Sequence, residues 1–432
     1  MMKTYIGKNV YEAAMERIAY CFEQFDNVLV AFSGGKDSGV MLNLCYSHAV
    51  KHGMLDKLSM YHIDYEAQYQ MTTDYVTRAF MEQFPGIHKM WYCVPVSAQS
   101  ACSLGHPYWR PWAADKKPLW VRPMPDNEFV IHEGNLTMPF RPGMVDYEFQ
   151  NAIGKHFTQM NGSTTTMIGI RTDESMKRYC AIARDDKRTS VDGKTWLTRV
   201  NAKTVCSYPI YDWKTSDIWT ANARFGYDYN RLYDLMYQAG LKPEQMRVAS
   251  PFNDCAQESL KLYKIIDPAN WARMVGRING VNFTGLYGGT TAMGWKTITL
   301  PPGHTWKSYY EFLLSTMDAA TAAHYDDILE RSKRYWTKGG AVDEGTSGAI
   351  IQAYPLACHA GKSDRYKGKD VIQFMGYPDD MPVGNFQQLP SYKRLCICIM
   401  KNDYFCKYAG FGPTREAISK RHSAIKKYRN IL

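Results

Sequence analysis

No stretch of this 432-residue chain approaches the roughly 20 consecutive apolar residues of a membrane-spanning helix, and Met1 to Val10 lacks the apolar core of a secretory signal. A membrane or secreted protein is therefore not expected, and the expected location is the cytoplasm. A disulfide framework is missing as well. The 11 cysteines are odd in number and scattered, which suits a reducing compartment. Acidic residues are in the minority: 42 Asp and Glu against 52 Lys and Arg leave a net charge of +10, which favours anionic partners, nucleotides first and nucleic acid second. The deficit is sharpest from Ser391 onward, where Asp403 and Glu416 face Lys393, Arg394, Lys401, Lys407, Arg415, Lys420, Arg421, Lys426, Lys427 and Arg429. A basic tail of this kind is more often a solvated face than a binding surface. What remains, 45% hydrophobic and 22% charged, is the composition of a globular chain long enough for two domains.

The chain is organised around Val28-Leu29-Val30-Ala31-Phe32-Ser33-Gly34-Gly35-Lys36-Asp37-Ser38-Gly39-Val40-Met41-Leu42. A β-forming apolar run enters a turn with paired glycines, and a helical periodicity follows at Val40, Met41, Leu44 and Cys45, so the stretch reads as strand, turn, helix. A backbone that wraps an anion needs dihedrals and close approaches that a Cβ would block, which accounts for Gly34 and Gly35. The free N–H groups of the turn and the positive end of the helix dipole then make an anion site, to which Ser33, Ser38 and Lys36 add donors and charge. A Walker-type phosphate loop fails on spacing, because it wants Gly at Val30 and Ser or Thr at Asp37.

Around this core the chain alternates. Val10 to Phe25 has the spacing of one helix face, and Lys57 to Ile63 reads as a second strand ending at Asp64. A helix to Phe84 and a third strand from Met90 to Val94 follow, predicting an α/β fold with a doubly wound, mostly parallel sheet. In such a sheet ligands bind beyond the carboxyl ends of strands, which puts Asp64 beside the glycine turn. The rhythm breaks between about residues 95 and 142, a proline- and aromatic-rich insertion for which a substrate lid and a packed core are equally expected. It resumes with Thr165 to Ile170, a strand leading into Arg171 and Arg178, two guanidiniums suited to clamping anionic oxygens. A last strand and helix run from Val205 to Trp219. Alternation ends near Trp271, so the expected domains are 1–270 and a mainly helical 271–432.

The order Ser33-Gly34-Gly35-Lys36-Asp37-Ser38 resembles the pyrophosphate loop of the adenine nucleotide α-hydrolases, the ATP pyrophosphatase superfamily with its Rossmann-like, HUP-type fold. Gly169-Ile170-Arg171-Thr172-Asp173-Glu174-Ser175 with Arg178, and Tyr208-Pro209-Ile210-Tyr211-Asp212-Trp213 before Asp217-Ile218-Trp219, narrow the likeness to the phosphoadenosine phosphosulfate (PAPS) reductase family over about the first 240 residues. Asp64-Tyr65-Glu66-Ala67-Gln68-Tyr69 and Trp120-Val121-Arg122-Pro123 resemble one bacterial and phage offshoot, the immunoglobulin-binding regulator A-type proteins. That resemblance implies a ParB- or sulfiredoxin-like protein partner.

The resemblance implies ATP held by Ser33, Gly34, Gly35, Lys36, Asp37, Ser38 and Asp64, with Mg2+ on Asp37 to relieve its repulsion from phosphate. Lys36, Asp37, Arg171 and Arg178 would act on the reacting phosphates, cleaving between the α- and β-phosphates to adenylate an acceptor and release pyrophosphate. The departures keep rivals open. The reductase's C-terminal Glu-Cys-Gly-Leu-His-type segment is absent, and so are the cysteine pairs of the iron-sulfur forms, so no iron-sulfur cluster is expected. Cys396, Cys398 and Cys406 read as core residues, and Cys255 is the leftover reactive-thiol candidate. A sulfonucleotide reductase, a thiolating enzyme of nucleic acid and a non-catalytic nucleotide-binding regulator therefore compete with the adenylating enzyme.

Overall fold

The computed structural model describes residues 7–103, 108–141, 143–174, 176–182, 189–248, 250–253, 260–288, 290, 298–364, 368–383, 389–401 and 403–411. Cys255 and the basic tail from residue 412 onward lie outside the described residues.

Ala13, Ala14, Ile18, Cys21 and Phe22 form the buried face of α1 (Val10–Gln24), whose start is closed by a capping box between Asn9 and Glu12. There follow β1 (Asn27–Ala31), α2 (Lys36–His52), β2 (Leu58–Ile63), α3 (Gln70–Met81) and β3 (His88–Cys93). Every residue of β2 is buried, because helices cover both faces of the sheet and a strand so enclosed has no solvent side to alternate toward. The insertion carries a two-strand ladder, β4 (Ala98–Gln99) with β5 (Tyr108–Trp109), and then β6 (Val130–His132). After it come α4 (Asp146–Asn161), β7 (Thr164–Ile168), α5 (Met176–Ile182), β8 (Leu197–Arg199), β9 (Thr204–Ser207), α6 (Thr215–Phe225) and α7 (Leu232–Gln238).

These strands make a seven-stranded sheet of order β6-β3-β2-β1-β7-β9-β8. All neighbours pair in parallel except β8, which runs antiparallel to β9. This is the doubly wound, mostly parallel sheet that the alternation predicts. Val28, Val30 and Met60 pack with Val40, Met41 and Phe80 on one face, while Leu29, Tyr61, Ile63 and Met90 pack with Phe149 and Ile153 of α4 on the other. From β1 the chain moves outward to β2 and β3 on one side and returns to β7 on the other side. The reversal opens a crevice beyond the carboxyl ends of β1 and β7, the place where open α/β sheets take ligands.

Of the two roles expected for the insertion, Trp109 and Trp112 take the packed one, at 7% and 2% exposed, while Trp120 is partly buried. Helices α8 (Tyr263–Ile266), α9 (Pro268–Arg277) and α10 (Val281–Tyr287) then pack Met274, Ile278 and Val281 against Leu232, Met236 and Phe252. The expected boundary at residue 270 thus falls inside α9. The chain divides instead into Met1–Gly288 and Gly289–Leu432.

The second unit holds α11 (Trp306–Ser315), α12 (Ala319–Lys338), β10 (Gly340–Asp343), α13 (Glu344–Ala353), β11 (Ala357–Lys362), β12 (Lys369–Phe374) and α14 (Tyr392–Met400). Its helices were expected. Its three-stranded sheet, of order β10-β12-β11, was not, because the strands are short and a register shift between His359 and Lys362 breaks the alternation of β11. Cys396, Cys398 and Cys406 sit in the apolar core with Tyr310, Ile328 and Leu395, and burial pushes the Cys396 thiol up to about 12. Among the described residues no helix is long and apolar enough to cross a membrane.

Candidate functional site

Phe32 to Gly35 cross the carboxyl edge of the sheet between β1 and α2. Gly34 has φ +74°, and a Cβ there would lie 2.9 Å from Val76 Cγ2, so both backbone conformation and the packing of α3 demand glycine. A Cβ on Gly169, just after β7, would lie 3.1 Å from the backbone of Ser38, which is how the β7 end comes so close to the first turn of α2. The turn is braced from within: Ser33 N–H donates to Ser38 Oγ at 3.1 Å, and the two hydroxyls are 2.9 Å apart. It is also braced from far along the chain. Asn230 Nδ2 donates to the Gly34 carbonyl at 3.1 Å and to Thr72 Oγ1 at 2.9 Å, and the Tyr233 hydroxyl accepts the Lys36 N–H at 3.1 Å. Among the described residues the backbone N–H groups of Gly34, Asp37 and Ser38 have no hydrogen-bond partner. Those of Asp37 and Ser38 belong to the first turn of α2, where the helix dipole favours an anion.

A cavity of about 460 Å3 occupies the crevice. Ser33, Gly35, Lys36, Asp37 and Ser38 line it, as do Arg171 and Arg178, so the structure brings most of the expected set together. The charges are already engaged with one another. Arg171, 2% exposed, donates through Nε to Asp37 Oδ1 at 2.5 Å and through Nη2 to Thr215 Oγ1 at 3.1 Å. Lys36 Nζ lies 3.2 Å from Asp37 Oδ2 and donates to the Met246 carbonyl at 3.3 Å. Burial holds the Lys36 ammonium below its usual range, with Asp37 opposing the shift. Arg178, on α5, pairs with Glu174, which also lies 3.5 Å from Arg171 Nη2. Arg171 itself precedes that helix, so the two guanidiniums meet through Glu174 and not along one helix face.

Asp64 does not join the cavity. It is 0% exposed, and both carboxylate oxygens lie 2.6 Å from Arg122 Nη2, with Trp91 Nε1 at 2.9 Å and the Glu66 N–H at 2.8 Å completing its shell. Arg122 and burial consume the carboxylate expected to face the nucleotide. Glu66, equally buried and at φ +62°, accepts from Trp112 N–H (2.7 Å), Val121 N–H (3.0 Å) and Arg277 Nε (3.0 Å). The pair Asp64 and Glu66 therefore anchors the insertion to the end of β2 and to α9, while Tyr65 between them lines the cavity.

Sequence reasoning missed three groups here. Asn230 and Tyr233 carry no local signal. Arg247, whose Nη2 donates to the Glu174 carbonyl at 3.2 Å, stands in a stretch without periodicity. Tyr61, Tyr65, Asp146 and Gln150 line the cavity beside α4. Burial raises the Asp146 carboxyl above the usual carboxylate range.

A divalent cation held between phosphates and protein needs one or two carboxylates, and Asp37 offers one at the loop once Arg171 and Lys36 turn to a ligand. Among the described residues no group of three or more His, Cys, Asp or Glu side chains forms a metal cage. The donor set fits a cation that arrives with a nucleotide better than a resident one.

The family model described as "Domain of unknown function (DUF3440)" matches residues 240–420. Among solved structures, the chain is similar to phosphoadenylyl-sulfate (PAPS) reductase from Candida auris in its phosphate complex, with TM-score 0.28 and 10% identity over 55% of this chain and 95% of that one. Candida glabrata FMN adenylyltransferase in complex with ATP has TM-score 0.30 and 12% identity over 52% of this chain, which spans 57% of that chain. The U34-tRNA thiolase NcsA from Methanococcus maripaludis, with its [4Fe-4S] cluster, has TM-score 0.29 and 11% identity over 65% of this chain and 82% of that one. Among curated proteins, the uncharacterized protein YbdN of Escherichia coli (strain K12) is 33% identical over 420 residues, covering 96% of this chain and 93% of its own length. Shared identity at that level along nearly the whole of both chains places this protein in the YbdN family.

Proposed function

We propose that the cavity binds an adenine nucleoside triphosphate and that the protein cleaves its α–β phosphate bond, adenylating an acceptor and releasing pyrophosphate. The observation that carries this reading is the pair of unpaired N–H groups of Asp37 and Ser38 at the sheet's reversal point, with Lys36, Arg171, Arg178 and Arg247 lining the same cavity. In this reading the loop amides and Ser33 and Ser38 hold the leaving pyrophosphate, and Lys36 neutralises charge developing on it. Arg171 leaves Asp37 for the α-phosphate or an anionic co-substrate, and Arg178 leaves Glu174 to assist. Asp37 would hold Mg2+, which would supply charge stabilisation on the leaving group.

A second reading has its own support. Asp37 and Glu174 already pair with Lys36, Arg171 and Arg178, so these cations are held in place without a ligand, which suits a regulator that binds nucleotide without turnover. The Asp64–Glu66 and Trp120–Pro123 motifs are two ends of one buried network; in this reading the recipient of the signal is the ParB- or sulfiredoxin-like partner that the resemblance to the regulator A-type proteins implies.

The test is incubation with Mg2+ and α-labelled ATP, alone and with small-molecule and nucleic-acid fractions of a cell extract, beside Asp37→Ala. Labelled AMP or adenylate that depends on Asp37 supports the enzyme, and the stimulating fraction identifies the acceptor class. ATP binding without cleavage in any fraction overturns the enzyme in favour of the regulator. Absence of binding overturns both.

A further inference from the structure

The cavity has two chemically distinct ends. Cations and loop amides gather at α2. Beside α4 the lining turns to Tyr61, Ile63 and Tyr65, and the polar side chains there are Asp146 and Gln150. Asp146 opens α4 and Gln150 stands four residues on, so the helix places both on one face. Asp146 Oδ1 is taken by its neighbour, the Tyr147 N–H, at 2.8 Å. Its Oδ2 is only 3.5 Å from the Tyr65 hydroxyl, the outer limit of a hydrogen bond, which leaves acceptor capacity for a ligand.

We infer that this end is the base subsite and that Asp146, supported by Gln150, selects a base carrying an exocyclic amino group. The inference rests on the nucleotide reading above and adds which side chains choose the base. A cavity of about 460 Å3 is the size one small ligand fills. Because the same cavity is lined by α2 at one end and by Asp146 and Gln150 of α4 at the other, a nucleotide seated with its phosphates on α2 directs its base toward α4. The tyrosine rings and Ile63 offer apolar faces to a flat heterocycle. A carboxylate only accepts, so it rewards an amino hydrogen and is left unpaired by a base without one. Burial makes that loss count: it disfavours the lone Asp146 carboxylate, which a donor from the ligand would stabilise.

The experiment compares binding of ATP with purine riboside 5′-triphosphate, which has hydrogen in place of the 6-amino group, by calorimetry on the full chain. Wild-type protein should bind ATP about ten- to a hundredfold more tightly, the cost of one unmet buried hydrogen bond. In Asp146→Leu that ratio should fall to within about threefold, through weaker ATP binding, while inhibition by inorganic tripolyphosphate stays unchanged. Gln150→Leu, which leaves the carboxylate in place, should reduce the ratio in part and guards against a folding defect in the first variant. Equal wild-type binding of the two nucleotides overturns the base subsite and leaves the nucleotide reading standing. A preference that survives both substitutions overturns it too. Failure of the wild type to bind either nucleotide removes the nucleotide reading, and this inference with it.

Discussion

Asp64→Asn separates a structural role for this carboxylate from a ligand-binding one. The replacement keeps the shape and removes the charge, leaving the Arg122 guanidinium 5% exposed without its counter-ion. Breaking a buried pair by neutralising one partner costs about 3–5 kcal/mol, a large part of the roughly 5–15 kcal/mol that holds a domain together. At about 2–4 °C per kcal/mol for a domain of this size, the melting temperature should drop by roughly 6–20 °C. Circular dichroism melting and urea titration read the loss, and nucleotide affinity is measured at a temperature where the variant is still folded. Affinity should stay within about twofold of wild type, because Asp64 does not line the cavity. Asp64→Leu combined with Arg122→Met should be less damaging than the two single effects added together, since a buried pair exchanged for apolar groups of similar volume is close to neutral. Acid should narrow the gap between wild type and Asp64→Asn. Burial pushes the Asp64 carboxyl up, but Arg122, His62 and the hydrogen bonds outweigh it and hold the group below its usual 3.8. Its contribution is therefore present above about pH 4 and lost as pH falls through the lowered value. A variant that melts with the wild type yet loses nucleotide binding would refute the argument.

Two further outcomes follow from the loop's supports. Tyr233→Phe removes the acceptor of the buried Lys36 N–H and should cost about 1–2 kcal/mol in the free protein. A bound phosphate can accept from that N–H instead, so the melting temperature should rise more on adding ATP in the variant than in the wild type; equal rises would show that the N–H does not reach the ligand. His62 Nδ1 donates to the Phe32 carbonyl at 2.8 Å, and burial lowers its pKa below 6.5. The unfolded chain then binds the extra proton, so stability is full above about pH 6.5 and declines as pH falls from there through the lowered value. His48, lowered by burial as well, adds to the same slope. Urea midpoints between about pH 7.5 and 5.5 should show the decline, reduced in His62→Phe; an unchanged slope in that variant would clear His62 of the effect.

The sheet and its loop were legible because their signals are local. Five residues of a β-forming apolar run, two glycines and a helical periodicity lie within eighteen positions, and further strands recur at Leu58–Ile63, Thr164–Ile168 and Thr204–Ser207. Chain order then placed Lys36, Asp37, Arg171 and Arg178 near one edge, since each follows a strand that the sheet aligns. The small sheet of the second unit was not legible. Its strands of four to six residues alternate only in part, and a register shift breaks one of them.

For Asp64, position on the chain and position in space disagreed. Its place at a strand end was correct, but Arg122, 58 residues later in a proline-rich insertion without periodicity, decides that it faces inward. The bracing of the loop by Asn230 and Tyr233, the engagement of Asp37 by Arg171 and the meeting of Asp146 with Tyr65 likewise join residues far apart on the chain. Backbone conformation and strand burial are written in neighbouring residues, so the strand–loop–helix unit and the sheet around it follow from the sequence alone. The partner of a buried charge is chosen by whichever distant segment packs against it, so the tertiary structure alone decides which of these carboxylates remain available to a ligand.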